Sequence, residues 1–407
     1  MEWEGHDLHR QQLDPPSVVE GRDARNILGT YKRTPFHPRS GKGAKLVDAE
    51  GKVYWDLLAG IAVNALGHRH PRLVRALKEE AGNLLHVSNL FYHPAQGLLA
   101  EKLTALSGFP RVFFCNSGTE AVEAAVKFAR LKNPGRSAMV ALEGGFHGRT
   151  MGALSLTGNE AYRTPFVPLL GTTAFLPPND IAALEKAVGP ETSAIFLEPI
   201  LGEGGIVPLS PEYLKAARAA ADRSGAVLVF DEIQCGLGRT GSFFVFQEMG
   251  VQPDMVVLAK PIGGGLPLGV VLVGSAIEPL VKPGMHGTTF GGNPVACRLG
   301  LETLSEIVEG GLLSRVKELG EWFGKKLGRA KRRSKGEIVD VRGRGLIWGI
   351  ELSRDAAEVQ KALLAKGYVV GTSRAKTLRI LPPYVVPRPA LSGFIKALEE
   401  TLKEKVA

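Results

Sequence analysis

Lys260 closes an apolar run in DMVVLAKPIGGGLPLG (254–269). A lysine at the end of a buried strand loses hydration, and its pKa falls. That makes it a nucleophile able to form a Schiff base with an aldehyde. The alternative is a side chain that snorkels to solvent. The glycines at 263–265 clear side chains from the next turn and let backbone approach a flat ligand. A second run, VLVFDEIQ (227–234), ends on Asp231, Glu232 and Gln234. Hydrophobics before Asp-Glu also mark the magnesium strand of nucleotide hydrolases, but the G-x-x-x-x-G-K-[ST] loop which that reading needs is missing from the sequence. A buried Asp231 therefore calls for another cation, or is a paired structural acid. NSGTEA (116–121) opens a helix with Gly118 in its first turn, which offers free N–H groups to a phosphate. It also reads as a plain capping box, Ser117 with Glu120. GLGRTG (236–241) matches G-x-G-x-x-G but does not run from a strand into a helix, so it says little about a dinucleotide.

The elements that must position these residues alternate. Short apolar runs at 111–115, 137–142, 193–200, 225–232, 254–260 and 269–274 read as buried strands. Between them lie helices. One spans 117–130, with Val122, Val126 and Ala129 on one face and Glu123–Lys127 expected as an outer i,i+4 pair. Another is bounded by Ser210 as N-cap, Pro211 at its first position and Gly225 past its end. The pattern predicts an α/β fold, a mostly parallel central sheet with helices on both faces. Ligands bind beyond the carboxyl ends of such strands. There the chain delivers Asn116 to Thr119, the EGGFHGRT stretch, Glu198, Asp231 to Gln234, and Lys260. Polar groups gathered at the end of a buried sheet need a ligand or one another.

Around this core, 43–60 reads as two strands about a turn and 336–352 as strands of an α+β region. Residues 1–30 read as a loosely ordered arm. The domains expected are 1–68 (arm and part of a small domain), 69–309 (large cofactor-binding domain) and 310–407 (C-terminal α+β small domain). The 407 residues carry a net charge of +9, from 50 basic and 41 acidic residues. That suits anionic substrates and does not itself imply nucleic acid. The basic run 324–336 lacks interleaved aromatics and reads as a solvated helix end or loop. Three scattered cysteines form neither a disulfide framework nor a zinc spacing, which favours a reducing compartment. With no signal-peptide core and no membrane-length apolar run, the expectation is a cytoplasmic protein without nucleic-acid or membrane partners. His68 and His70 in GHRHP read as a structural turn, and no metal is expected.

Taken together, GIAVNALGHRHP (60–71), FFCNSGTEAVEAAVKFAR (113–130), FHGRT (146–150), EPILGEGG (198–205), FDEIQCGLGRTG (230–241), AKPIGGGLPLG (259–269) and HGTTFGGNP (286–294) resemble the class III aminotransferases, pyridoxal-phosphate enzymes of fold type I. The order and spacing look most like the acetylornithine branch. The resemblance covers about 31 to 400. It implies that Lys260 holds pyridoxal 5'-phosphate and moves the substrate proton. Asp231 would pair with the ring nitrogen, Gln234 with the phenolic oxygen, and Phe146 would stack on the ring. Ser117, Gly118 and Thr119 would bind the phosphate, joined by Thr289 from a second subunit of a homodimer.

For the substrates, the resemblance implies that Arg149 grips the carboxylate remote from the reacting amine. Arg379, in LRILPPY (378–384), would grip the α-carboxylate of glutamate, and Glu203 would cover Arg379 in the other half-reaction. Tyr31 and Thr288 would line the substrate pocket. The implied reaction passes the terminal amine of N-acetyl-L-ornithine, or a close N-acyl diamine amino acid, to 2-oxoglutarate, in arginine or lysine biosynthesis. An amino-acid tail on an acidic carrier protein is the same chemistry. Ile61 stands where ornithine aminotransferases carry a substrate-contacting tyrosine, Leu201 where many relatives have glutamine, and Cys235 where threonine is frequent. The alternatives are an ornithine or 4-aminobutyrate aminotransferase, an aminomutase or decarboxylase on the same fold, and a non-catalytic cofactor-binding protein.

Overall fold

The computed structural model describes residues 14–404. Its centre is a seven-stranded sheet built from β1 (Arg111–Cys115), β2 (Ala138–Leu142), β3 (Thr172–Leu176), β4 (Thr192–Leu197), β5 (Val227–Asp231), β6 (Met255–Leu258) and β7 (Gly269–Val273). The spatial order is β1-β7-β6-β5-β4-β2-β3. All strands run parallel except β7, which is antiparallel to both neighbours.

These strands read as nearly unbroken apolar runs because helices cover both sides. Alternate residues go to opposite faces. Val227 and Val229 join one core with Ala194, Phe196 and Val257, under the helix Gly118–Lys132. Leu228 and Phe230 join the other with Ile195, Leu197 and Leu258, under the helix Pro211–Ser224. Each such fully buried side chain is worth about 1.5–3 kcal/mol of transfer free energy. That helix begins and ends where the sequence signals it, with Ser210 accepting from the Tyr213 N–H and Gly225 left-handed at φ 73°.

Two smaller sheets flank the core. Pro38–Lys42, Lys45–Asp48 and Val53–Asp56 pair with Tyr368–Val369, so a strand from near each chain end shares one sheet. Ile338–Arg344, Ile347–Leu352, Thr377–Ile380 and Gly371–Ser373 form an antiparallel sheet. The 236–241 loop staples the latter to the main body. The fully buried Arg239 donates to the carbonyls of Leu346 and Pro382, and Tyr384 donates to the Leu237 carbonyl.

Several expectations change. Pro16–Asn26 is a helix with no buried residue, where the sequence suggested a loose arm; residues 1–13 of that arm lie outside the described residues. Strand β3 escapes a sequence reading because it is an edge strand, half-buried along most of its length. The Glu123–Lys127 pair does not form. Glu123 accepts the Gly152 and Ala153 N–H groups at 2.8 and 3.1 Å, and Lys127 lies 2.9 Å from His286. An N-terminus of a short helix, Met151–Ser155, offers the carboxylate more than an exposed lysine does. The basic run ends the helix Leu312–Arg333, where cations complement the helix dipole. Among the described residues, no helix is long and apolar enough to cross a membrane.

Candidate active site

The carboxyl ends of β1, β2, β4, β5 and β6 surround a cleft of about 450 Å³. It is lined by Ser117, Gly118, Thr119, Phe146, Arg149, Glu203, Asp231, Gln234 and Lys260, which the sequence placed in one site.

Lys260 follows β6 at the start of a tight turn, Lys260–Gly263, with φ at +45°. A non-glycine residue held left-handed is strained by about 1–3 kcal/mol and is fixed by its surroundings. Burial pulls the Lys260 amine below the usual lysine range, although Asp231 and Glu198 pull the other way. The glycines after it divide their work. Gly264, at φ +60°, would drive a Cβ to 3.0–3.1 Å from Thr303 and Leu73, so it serves packing. Gly265 alone of the three lines the cleft.

Asp231 ends β5. Its Oδ1 accepts the Ile233 N–H at 3.0 Å, and its Oδ2 lies 2.7 Å from Nδ1 of His147. Burial would depress the His147 pKa, but the hydrogen bond and charge of Asp231, with Glu198 beyond, leave it raised. Glu198 is also buried. Its oxygens accept the Phe146 N–H at 2.8 Å and the Gly202 N–H at 3.0 Å, tying two loops of the cleft together. Desolvation and the Asp231 charge push its carboxyl up. Glu232, by contrast, turns out of the cleft. It accepts the Val245 and Phe246 N–H groups at 2.9 and 2.8 Å, and burial raises it to about 7.

At the helix Gly118–Lys132, Ser117 caps the N-terminus by accepting the Glu120 N–H at 3.3 Å. The Glu120 carboxylate reaches back one residue further than a capping box would, accepting from the Asn116 N–H at 2.6 Å. The capping and phosphate readings therefore coexist. The Thr119 hydroxyl sits 2.7 Å from that of Thr150. A Cβ at Gly148 (φ +143°) would fall 2.2 Å from Thr119 Oγ1, so only glycine lets these loops meet.

Glu203 lies in the turn between Ile200–Leu201 and Val207–Pro208, and Arg379 on the strand Thr377–Ile380. They pair directly. Two features bring them together. The Ser373 hydroxyl accepts the Gly205 N–H and lies 2.7 Å from the Glu203 carbonyl, stitching that turn to the strand Gly371–Ser373. Both cross-strand neighbours of Arg379, Gly349 and Gly371, lack side chains that would crowd it. Arg149 is exposed, with its guanidinium carbon 3.6 Å from the centre of the Tyr162 ring and 5.7 Å from that of Phe146.

Four expected residues do not line this cleft within one chain. Arg379 is buried and meets it through its pair with Glu203. Tyr31 is 78% exposed and lines a separate cavity formed by 14–39 and Ala49. Among the described residues, Thr288 is hydrogen-bonded to the site through Asn116, whose amide donates to its hydroxyl at 3.0 Å. Thr289 is exposed. Conversely, His147, Ile233, Ser373 and Val63 were not singled out from sequence. His147 belongs to the FHGRT stretch, but its meeting with Asp231, 84 residues away, has no local signal. Val63 ends a left-handed turn, Ala59–Ala62, that includes the β-branched Ile61 at φ +60°.

A flat, phosphorylated aldehyde fits this donor set. Gln234 lines the cleft, and among the described residues its buried amide oxygen has no hydrogen-bond partner. A capped helix N-terminus, a lysine amine of lowered pKa and a buried carboxylate line the same cleft. These match the phosphate, aldehyde and ring nitrogen of pyridoxal 5'-phosphate.

Comparison with known proteins agrees. The family model for class-III aminotransferases matches residues 29–402. The acetylornithine aminotransferase of Methanosarcina acetivorans is 44% identical over 385 residues, covering 94% of this chain and 96% of that protein. That of Mycolicibacterium smegmatis is 45% identical over 379 residues, covering 92% and 96%. Among solved structures, the ornithine aminotransferase of Toxoplasma gondii superposes with a TM-score of 0.93 at 30% identity, over 99% of both chains. The acetylornithine aminotransferase of Elizabethkingia anophelis gives 0.86 at 31% identity, over 96% and 99%.

Proposed function

Because the chain belongs to the class III aminotransferases, we propose that it transfers the terminal amino group of N-acetyl-L-ornithine to 2-oxoglutarate, giving N-acetylglutamate 5-semialdehyde and L-glutamate. The observation that carries this is Glu203, which lines the cleft of Lys260 together with Arg149 and pairs with the buried Arg379, whose charge is felt at Lys260. An enzyme serving both substrates must accept an amine far from any carboxylate, then an amine next to one. A guanidinium covered by a carboxylate in the first case and uncovered in the second meets that need. Bidentate pairing orients each acid better than a lysine would.

Pyridoxal 5'-phosphate supplies an aldehyde for the amine and a ring that accepts electrons from the carbon being deprotonated. The protein's residues do the rest. Lys260 Nζ would hold the cofactor at rest and, once displaced by substrate, would carry the proton from the substrate carbon to the cofactor's aldehyde-derived carbon. A lowered amine pKa leaves the neutral form available for that work. The Asp231 carboxylate, oriented by His147, favours a proton on the ring nitrogen. Gln234 bonds the phenolic oxygen, Phe146 covers a ring face, and Ser117, Gly118 and Thr119 hold the phosphate. Arg149 holds the carboxylate remote from the reaction, and Arg379 the α-carboxylate of glutamate.

The exposure of Thr289, together with bare apolar side chains at Leu90, Phe91, Tyr92 and Phe290, supports a homodimer in which Thr289 reaches the partner's phosphate. Tyr31 and Thr288 keep a proposed place at the substrate only across such an interface. The division at 68 and 309, a cytoplasmic location and a role in arginine biosynthesis belong to the same reading. The test is kcat/KM for N-acetyl-L-ornithine, L-ornithine and 4-aminobutyrate, each with 2-oxoglutarate. The acylated substrate is expected to lead. A larger value for either other amine overturns the substrate assignment and leaves the family intact.

A further inference from the structure

Arg149 is built into a rigid stretch of backbone. Gly148 precedes it, and Glu123 caps the short helix that follows. Its side chain is different. Among the described residues no carboxylate, carbonyl or hydroxyl accepts from its guanidinium, so hydrogen bonding does not fix its direction. Its near contact is the Tyr162 ring, with its central carbon 3.6 Å from the ring centre, while the Phe146 ring lies farther off at 5.7 Å. Tyr162 does not line the cleft of Lys260; it lines an outer cavity that shares Phe146 and Glu203 with that cleft. The ring is itself anchored. Its helix, Glu160–Arg163, is capped by Asn159, and Arg163 donates to the Thr157 carbonyl and stacks 3.9 Å over Phe175 of the edge strand β3.

A guanidinium stacked by its face keeps its in-plane N–H groups free, and those groups form the two-pronged contact with a carboxylate. We propose that Tyr162 is a positioning residue that holds the Arg149 fork ready for the remote carboxylate of each substrate. This rests on the reading of Arg149 given above. The ring acts through its π face, not its hydroxyl, so phenylalanine should replace it and leucine should not. Losing the stack frees several rotatable bonds of Arg149, which binding must then order again. The effect falls on KM for acids with a remote carboxylate and leaves kcat largely alone.

The experiment is a double-mutant cycle on the holoenzyme, with Tyr162→Leu, Arg149→Ala and both together, and Tyr162→Phe as the conservative control. Tyr162→Leu should raise KM for N-acetyl-L-ornithine by about two- to tenfold, the range of an aromatic–cation contact. Tyr162→Phe should restore the parent KM, and Tyr162→Leu should add nothing once Arg149 is alanine. If Tyr162→Leu raises KM by the same factor in both backgrounds, the proposal is overturned while Arg149 keeps its role. If Arg149→Ala leaves KM unchanged, the reading of Arg149 falls and takes the proposal with it. Thermal unfolding of each variant identifies any loss of KM that comes from misfolding.

Discussion

Replacing Gly148 with alanine tests the phosphate end of the cleft. The added Cβ would lie 2.2 Å from Thr119 Oγ1, 2.6 Å from Thr119 Cβ and 2.9 Å from Ala153 Cβ, at a backbone φ of +143°. The first contact is roughly 1.3 Å inside the ~3.5 Å at which such atoms sit comfortably. Thr119 stands in the first turn of its helix and cannot retreat as backbone, so its hydroxyl must rotate away from Thr150 and from the cleft. The unfavourable φ costs about 1–3 kcal/mol. The overpacking costs a similar ~1–3 kcal/mol. Losing one hydroxyl bond to a charged phosphate is worth about 1.5–3 kcal/mol of cofactor affinity, or roughly ten- to hundredfold in Kd. The assay is a titration of apoprotein with pyridoxal 5'-phosphate, followed by absorbance, beside thermal unfolding of the apoprotein. Lower stability with an unchanged Kd would refute the assignment of Thr119 to the phosphate. Unchanged stability would refute the close approach of the two loops.

Further outcomes follow from the same geometry. Asp231→Asn should retain bound cofactor yet lower kcat about 10²-fold or more in both half-reactions, read by single-turnover kinetics, if the buried Asp231 charge faces the ring nitrogen as proposed. Ser373→Ala should release the Glu203 turn, slowing the acyl-diamine half-reaction more than the glutamate one, since only the former needs Glu203 over Arg379. Glu232 is raised from 4.5 to about 7 by burial, so the folded state holds its proton more tightly than the unfolded chain does. Its stabilising effect is complete below about pH 4.5 and is lost as pH climbs through about 7. Unfolding midpoints measured from pH 5 to 8 should therefore fall, and Glu232→Gln should flatten that slope.

The parts of the fold legible from sequence were those with a local cause. Strands β4 to β7 show as apolar runs because both faces are covered, and Ser210, Pro211 and Gly225 bracket a helix by backbone geometry alone. The ends of those strands pointed to Asp231 and Lys260 for the same reason. Edge strand β3 and the helix Pro16–Asn26 lacked that cause, one being half-covered and the other burying no residue. Contacts set by tertiary packing left no mark either. Whether Glu123 pairs with Lys127 or caps a helix, and whether Glu232 faces the cleft or a helix N-terminus, depends on what folds against them. Likewise, Gly264 reads as room for a ligand until Leu73 and Thr303 are seen beside it. Placing Arg379 beside Glu203 rested on family resemblance; Ser373 and the two flanking glycines supply its physical basis.

The central claim is that one cleft serves two kinds of substrate through a guanidinium that Glu203 covers and uncovers. The most direct measurement follows each half-reaction alone, by cofactor absorbance, in holoenzyme carrying Arg379→Ala. The account predicts that conversion by L-glutamate collapses, by about 10²-fold or more for a lost charge-paired contact, while conversion by N-acetyl-L-ornithine largely survives. Equal loss of both half-reactions would contradict it.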